Sequence, residues 1–309
     1  MFIRLSIRGV FCLAALGCAL IVPARVAGQS KPSTAALEAK VRALVAASGA
    51  ETVAVAFRDL QTGRELLINP GVSFHAASTM KVPVMLEVYR EAREGKLSLD
   101  ERLPVKNEFK SIADGSAFSV SPADDSEQTL YKKVGATETV RELLRLMITE
   151  SSNLATDIII ERVTAARVME LMKRMGARDI KVLRGVEDGK AFERGLNNTT
   201  TARDLLVLLR AIAEGRAVSP AASKEMTDIL LAQKFNEGIP AGLPAGTPVA
   251  HKTGSITKIE HDAGIVYLPG RKPYVLVVLV RGIAEEARAH KLIADISRAV
   301  YDDLAMSRN

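Results

Sequence analysis

The sequence predicts an α/β protein of the α+β kind, with one antiparallel sheet built from both chain ends, flanked by helices, and an all-helical domain inserted between its halves. Three observations carry this. Strand-like apolar runs stand near the start, at residues 52–57 and 65–68, and return near the end, at 249–253, 263–268 and 274–280. Between them apolar residues recur at helical spacing. Turn signals, Gln61-Thr62-Gly63 and Pro269-Gly270, separate neighbouring strands.

Taken in order, Arg4 and Arg8 precede an apolar run from Val10 to Val22, followed by Pro23 and the small-residue stretch Val26-Ala27-Gly28. This is the order of a secretory signal peptide over 1–28, and a run of about 13 apolar residues falls short of the ~20 of a membrane span. The remainder is then expected to be periplasmic or secreted. Lipid attachment at Cys18 is the alternative, although Ala15 fits it poorly. Cys12 and Cys18 both lie in this leader, so residues 29–309 hold neither a disulfide nor a reactive thiol.

Residues 29–309 are expected to form one catalytic domain, with a sheet subdomain of about 29–75 and 240–309 and a helical subdomain of about 76–239. Leu37, Val41, Leu44 and Val45 mark a helix from Ala35 to Ser48, ended by Gly49. Thr52–Phe57 and Glu65–Ile68 then form a hairpin. Thr139 with Glu142 makes a capping box before Val140, Leu143, Leu144 and Met147, and Val168, Leu171, Met172 and Met175 repeat the period before Gly176. Thr201 with Asp204 opens a helix through Ile212, and Ser219-Pro220 opens another through Leu231. A last helix runs from about Glu285 to Leu304.

Net charge is +6; Arg4, Arg8 and Arg25 leave with the leader and no acidic residue does, which brings it to +3. Aromatic residues make up only 4 % of the chain, and the basic residues are interleaved with acidic ones, which excludes a nucleic-acid partner. No later run reads as a membrane span. His75, His251, His261 and His290 lack ligand spacing with cysteines or carboxylates, so neither metal nor cofactor is expected.

Three short strings carry chemistry. In Ser78-Thr79-Met80-Lys81 the serine and lysine lie one turn apart at a helix start, where a shielded lysine can take the serine's proton. Ser151-Ser152-Asn153 sits between two helical segments, placed to point a hydroxyl into a cleft. Lys252-Thr253-Gly254 ends a strand and offers a cation, a hydroxyl and a glycine for close approach.

Together these strings resemble the Ser-x-x-Lys, Ser-x-Asn and Lys-Thr-Gly signatures of the penicillin-recognising serine enzymes, and the chain is similar to their class A β-lactamase branch. The likeness covers most of residues 29–309, including Asp59, Thr62-Gly63, Asn69 and Phe74 before Ser78 and Gly242-Leu243-Pro244 before Lys252. It implies a β-lactamase/transpeptidase-like fold, with Ser78 acylated, Lys81 accepting or relaying its proton, Ser151 protonating the departing nitrogen and Asn153 clamping the substrate side chain. It further implies that Lys252 and Thr253 bind the substrate carboxylate. The N–H groups of Ser78 and Ser255, just past Gly254, would form the oxyanion hole.

The chain departs from the family in its loop. Arg184 matches the loop-anchoring arginine, but Val186 stands where the deacylating glutamate belongs, leaving Glu187, one position late, and Glu193 as candidates. Asn198 replaces the aspartate expected to pair with Arg184. His261 stands where many relatives carry a carboxylate-binding arginine, and Ser152 replaces the aspartate of Ser-Asp-Asn. Residues 107–137 exceed the usual length, as either a cleft wall or a surface insertion.

The expected function is that of a monomeric, antibiotic-resistance type of serine hydrolase acting on a small β-lactam or a cell-wall peptide. A D-alanyl-D-alanine peptidase or other acyl hydrolase, and a slowly deacylating penicillin-binding or sensing protein, are the alternatives.

Overall fold

The computed structural model describes residues 1–3 and 34–306. Most of the expected leader, residues 4–28, therefore lies outside the described residues. Helix α1 (Ala35–Ala47) leads into β1 (Thr52–Asp59) and β2 (Glu65–Ile68). A 3₁₀ turn over Ala77–Met80 feeds α2 (Lys81–Arg93). The middle of the chain holds α3 (Val140–Thr149), α4 (Asn153–Val163), α5 (Ala165–Met175), α6 (Gly189–Glu193), α7 (Ala202–Ala213) and α8 (Pro220–Leu231). Strands β3 (Val249–Ile256), β4 (Ile259–Val266) and β5 (Tyr274–Arg281) then precede α9 (Glu286–Met306).

The five strands form one sheet in the order β2-β1-β5-β4-β3, every pair antiparallel. Both faces are covered. Val53, Val55 and Phe57 of β1 and Leu276, Val278 and Val280 of β5 pack with Leu37 and Val41 of α1 and Ile293 and Ile296 of α9. The alternate residues, Ala54, Ala56, Val275, Val277 and Leu279, join a second core with α2 to α5 and α7. Burial on both sides is why these strands read as unbroken apolar runs rather than as alternation.

Helix starts follow the local signals. Thr139, Thr201 and Ser219 cap α3, α7 and α8, accepting from the N–H groups of Glu142, Asp204 and Ala222. The expected box at Thr139 is only half formed, because the Glu142 carboxylate pairs with Arg145 instead of reaching back.

Strand β4 starts at Ile259, four residues earlier than the apolar pattern indicates. Its first turnless stretch is polar yet buried: Glu260 accepts from Ser255 Oγ, and Asp262 meets His251 Nδ1 at 2.9 Å and the N–H of Ile239 at 2.8 Å. Satisfied polar groups can be buried, and apolar periodicity does not register them.

The long segment before α3 is built into the fold. Phe109–Lys110 pairs with Ala117–Phe118, Thr137–Thr139 pairs with Arg102–Pro104, and Phe109, Val120 and Leu130 are buried.

Candidate active site

Ala77, Ser151 and Glu187 all adopt left-handed backbone conformations, with φ of 45°, 56° and 58°. Each costs of order 1–3 kcal/mol for a non-glycine residue and persists only where its surroundings hold it. The three lie around one cleft, so the strain is concentrated where Ser78, the Ser151-Ser152-Asn153 turn and the 183–198 loop converge.

Ser78 follows Ala77 on the 3₁₀ turn and lines a cleft of about 640 Å³ together with Asn153, Glu187 and Ser255. Strand β3 passes close behind it. A Cβ on Gly254 would stand 3.1 Å from the backbone nitrogens of Ser78 and Thr79 and 3.2 Å from the Ala77 Cβ. The glycine expected to admit substrate thus admits the backbone of the Ser78 turn itself.

Lys81 and Lys252 are both fully buried, and both reach Ser151. Lys81 Nζ donates to Ser151 Oγ at 3.2 Å, to the Ser151 carbonyl at 2.6 Å and to Asn153 Oδ1 at 3.0 Å. Lys252 Nζ donates to the same hydroxyl at 3.1 Å and to the Thr253 carbonyl at 2.9 Å. Burial pulls Lys81 down to about 8 against the opposing pull of Asp125, Asp157 and Glu187. Burial, then the proximity of Lys81, carries Lys252 well below the ordinary lysine range. An amine at about 8 has a substantial neutral fraction near physiological pH and can take a proton.

Asn153 links this amine to the loop. Its Oδ1 accepts from Lys81 while its Nδ2 donates to Glu187 Oε1 at 2.7 Å. Glu187 Oε2 accepts from the N–H of Ser121 at 2.8 Å, so residues 107–137 wall this side of the cleft. The same segment braces the loop through Asp188, which accepts from Ser111 Oγ at 2.8 Å and the Ile112 N–H at 2.9 Å. Glu193 ends α6 on the exposed surface.

The loop lock differs from its expected form. Asn198 does not bond the Arg184 guanidinium; its Oδ1 accepts from the N–H groups of Leu183 and Arg184, and its Nδ2 donates to the Arg184 carbonyl. The guanidinium instead reaches the Leu196 carbonyl at 2.9 Å and Asn197 Oδ1 at 3.1 Å. An amide can both accept from and donate to backbone, which a carboxylate cannot.

His261 is placed away from the role expected for it. It lies opposite Gly254 in the β3–β4 register, is 2 % exposed and stands edge-on to Phe74. Nε2 lies 2.9 Å from the His75 carbonyl and Nδ1 lies 2.8 Å from the Glu260 carbonyl, with the Val280 N–H 3.3 Å from Nδ1; the two carbonyls favour the charged ring and burial opposes it more strongly. Burial lowers it to about 4, so at neutral pH it supplies no cation for a carboxylate. On the neighbouring face Glu260, Glu286 and His290 bring one potential ligand atom each within 4.8 Å of one another, a grouping that linear spacing hides. Glu260 is already engaged there, by Ser255 Oγ at 2.6 Å and His290 Nε2 at 3.3 Å.

Sequence reasoning missed Ser121, Asp125 and Asp157. Asp157 lies four residues after Asn153 on α4, and that i,i+4 spacing was the available signal. Its Oδ1 accepts from the Val186 N–H at 2.6 Å, and a Cβ on Gly185 would collide with it at 2.1 Å, so this carboxyl group seats the loop just before Glu187. Ser121 and Asp125 come from a segment with no local pattern pointing at the site.

A sheet flanked by helices, with a serine turn, two buried lysines sharing one hydroxyl and a loop carboxylate across the cleft, defines the serine hydrolases of the β-lactamase type. The beta-lactamase enzyme family matches residues 36–304, and the chain belongs to it as a class A-like, serine β-lactamase-like hydrolase. A beta-lactamase of Bacteroides uniformis is 31 % identical over 259 residues, which cover 78 % of this chain and 82 % of that protein. The solved structure of PBP-A is 29 % identical, with a TM-score of 0.76 over 88 % of this chain and 96 % of its own. The ancestral (GNCA) class A beta-lactamase is 26 % identical, with a TM-score of 0.75 over 86 % of this chain and 99 % of its own. Among the described residues, no helix is long and apolar enough to cross a membrane.

Proposed function

We propose that the enzyme opens the β-lactam ring by acylating Ser78 and then hydrolyses that ester with water activated by Glu187. The observation that carries this reading is the unbroken chain from Lys81 Nζ through Asn153 to the Glu187 carboxylate. It joins the acylation machinery to a base on the opposite wall, which a protein that merely traps penicillin does not need.

In acylation, Ser78 Oγ attacks the lactam carbonyl carbon as its proton passes to the neutral Lys81 amine. The developing oxyanion lies between the N–H groups of Ser78 and Ser255. As the C–N bond breaks, Ser151 gives its proton to the nitrogen and recovers one from the lysine side of the network. Asn153 holds the substrate side chain, Lys252 and Thr253 receive its carboxylate, and Gly254 keeps β3 against the Ser78 turn. His261, neutral and buried, is left out of carboxylate binding. In deacylation, Glu187 takes a proton from water, the hydroxide equivalent attacks the ester carbonyl, the bond to Ser78 Oγ breaks, and the proton held by Glu187 returns to Ser78 Oγ with Lys81 as relay, so that both groups end the cycle as they began it.

The proposal extends to an exported monomer, periplasmic or secreted, with leader 1–28 removed and residues 29–309 as the catalytic domain; resistance to β-lactam antibiotics would follow. Mixing the purified protein with a chromogenic cephalosporin tests it. Many turnovers are expected from the wild type and none from Ser78→Ala; turnover that survives Ser78→Ala overturns the proposal.

A further inference from the structure

We infer that Asp125, carried in by the long segment before α3, is a positioning residue that holds Ser151 and Asn153 in place, taking over the support that the missing aspartate of a Ser-Asp-Asn triplet would give. The inference rests on the roles proposed above for Ser78, Lys81, Ser151 and Asn153.

Asp125 is buried, and its Oδ2 accepts from the N–H groups of Asn153 and Leu154, both at 2.9 Å. These are the first two residues of α4, whose backbone donors have no partner within the helix and lie at its positive end. Tyr131 Oη donates to the same oxygen at 2.8 Å and Ser152 Oγ at 3.4 Å, while Oδ1 accepts from the Glu127 N–H at 3.1 Å. The carboxylate is thereby fixed at both ends: to its own segment, and to the turn that carries two reactive side chains.

Ser152 cannot do this alone. Its hydroxyl caps α4 by accepting from the Ala155 N–H at 3.2 Å, which leaves the donors of Asn153 and Leu154 to Asp125. Ser151, immediately before, is in the left-handed conformation at φ 56°, so its placement depends on what grips the following residues. A small displacement there moves Ser151 Oγ and Asn153 Oδ1 relative to Lys81, and a misplacement of about 1 Å in such a constellation costs roughly 100-fold.

The same carboxylate faces Lys81 across the turn. The charged or titratable groups around that amine are Asp125 from the long segment, Asp157 from α4, Glu187 from the loop and Lys252 from β3. Asp125 favours the protonated amine against burial, so its loss shifts the proton-accepting form to lower pH.

The test is single-turnover acylation of Ser78 by benzylpenicillin, followed by intact mass from pH 5 to 10, alongside thermal melting. Asp125→Ala is expected to lower the plateau rate about 10–100-fold. Asp125→Asn, the conservative change, is expected to move the acid limb to lower pH. Adding Ser152→Asp to Asp125→Ala returns the carboxylate from the triplet position and is expected to restore most of the rate. A wild-type rate and limb in Asp125→Asn overturns the inference, as does a double variant that regains its melting temperature but not its rate. A wild-type protein that forms no Ser78 adduct overturns the proposed function itself, whereas normal acylation of both wild type and Asp125→Asn overturns this inference alone.

Discussion

Replacing Glu187 with glutamine separates the two halves of the proposed cycle. Both carboxylate oxygens accept from N–H donors, Oε1 from Asn153 at 2.7 Å and Oε2 from Ser121 at 2.8 Å. Glutamine has one acceptor oxygen, so its Nε2 must confront one of these donors. Leaving that partner unsatisfied costs about 1–3 kcal/mol locally. The larger effect is chemical: losing a general base typically slows its step by ~10²–10⁴, equivalent to about 3–5 kcal/mol of barrier. Acylation does not use Glu187 and should remain fast, so the acyl-enzyme should accumulate nearly stoichiometrically. Stopped-flow mixing with a chromogenic cephalosporin should show a burst of one equivalent followed by slow turnover, and intact mass should show the adduct persisting. Wild-type turnover without an adduct would refute the assignment of Glu187.

Lys81, drawn down to about 8 by burial, predicts that the acylation rate rises about tenfold per pH unit below that value and levels above it, where the amine is neutral. A limb at the ordinary lysine value of 10.5 would contradict a lowered Lys81 as the proton acceptor. Burial pushes Asp157 from 3.8 up to about 8, so its protonated form stabilises the fold fully below about pH 4, and this contribution fades as pH climbs towards 8. Asp157→Asn keeps an oxygen for the Val186 N–H and has no proton to lose. Its melting temperature should gain on the wild type between pH 4 and 8, by an amount on the order of a few kcal/mol in stability, and a pH-independent difference would contradict this. Gly254→Ala places a methyl 3.1 Å from the Ser78 nitrogen; it should cost about 1–3 kcal/mol of stability and slow acylation at least ~10-fold, measured by melting and single-turnover kinetics. An unchanged acylation rate would show that β3 does not position the nucleophile's turn.

The fold was largely legible because its signals are local. Thr201 and Ser219 cap where they stand, and Glu65–Ile68 pairs with β1 as a hairpin. The start of β4 was not, because Glu260, His261 and Asp262 break the apolar run while their partners come from elsewhere in the chain. The candidate site divides in the same way. Short motifs marked Ser78, Lys81, Ser151, Asn153 and Lys252, whereas the bond between Glu187 and Asn153, 34 residues apart, has no local pattern to announce it. Counting along the chain put His261 beside the carboxylate site. The fold instead buries that ring edge-on to Phe74, with Nε2 2.9 Å from the His75 carbonyl. Asp125 stood in no motif, since only the folded segment carries it to the start of α4.

Peptide mapping of the trapped intermediate tests the central claim most directly. Glu187→Gln, mixed with benzylpenicillin and quenched in acid, should carry the full mass of the opened antibiotic on the peptide containing Ser78, and Ser78→Ala in the same background should carry none. A mass increment on any other residue, or no increment while hydrolysis proceeds, would contradict an acyl-enzyme at Ser78.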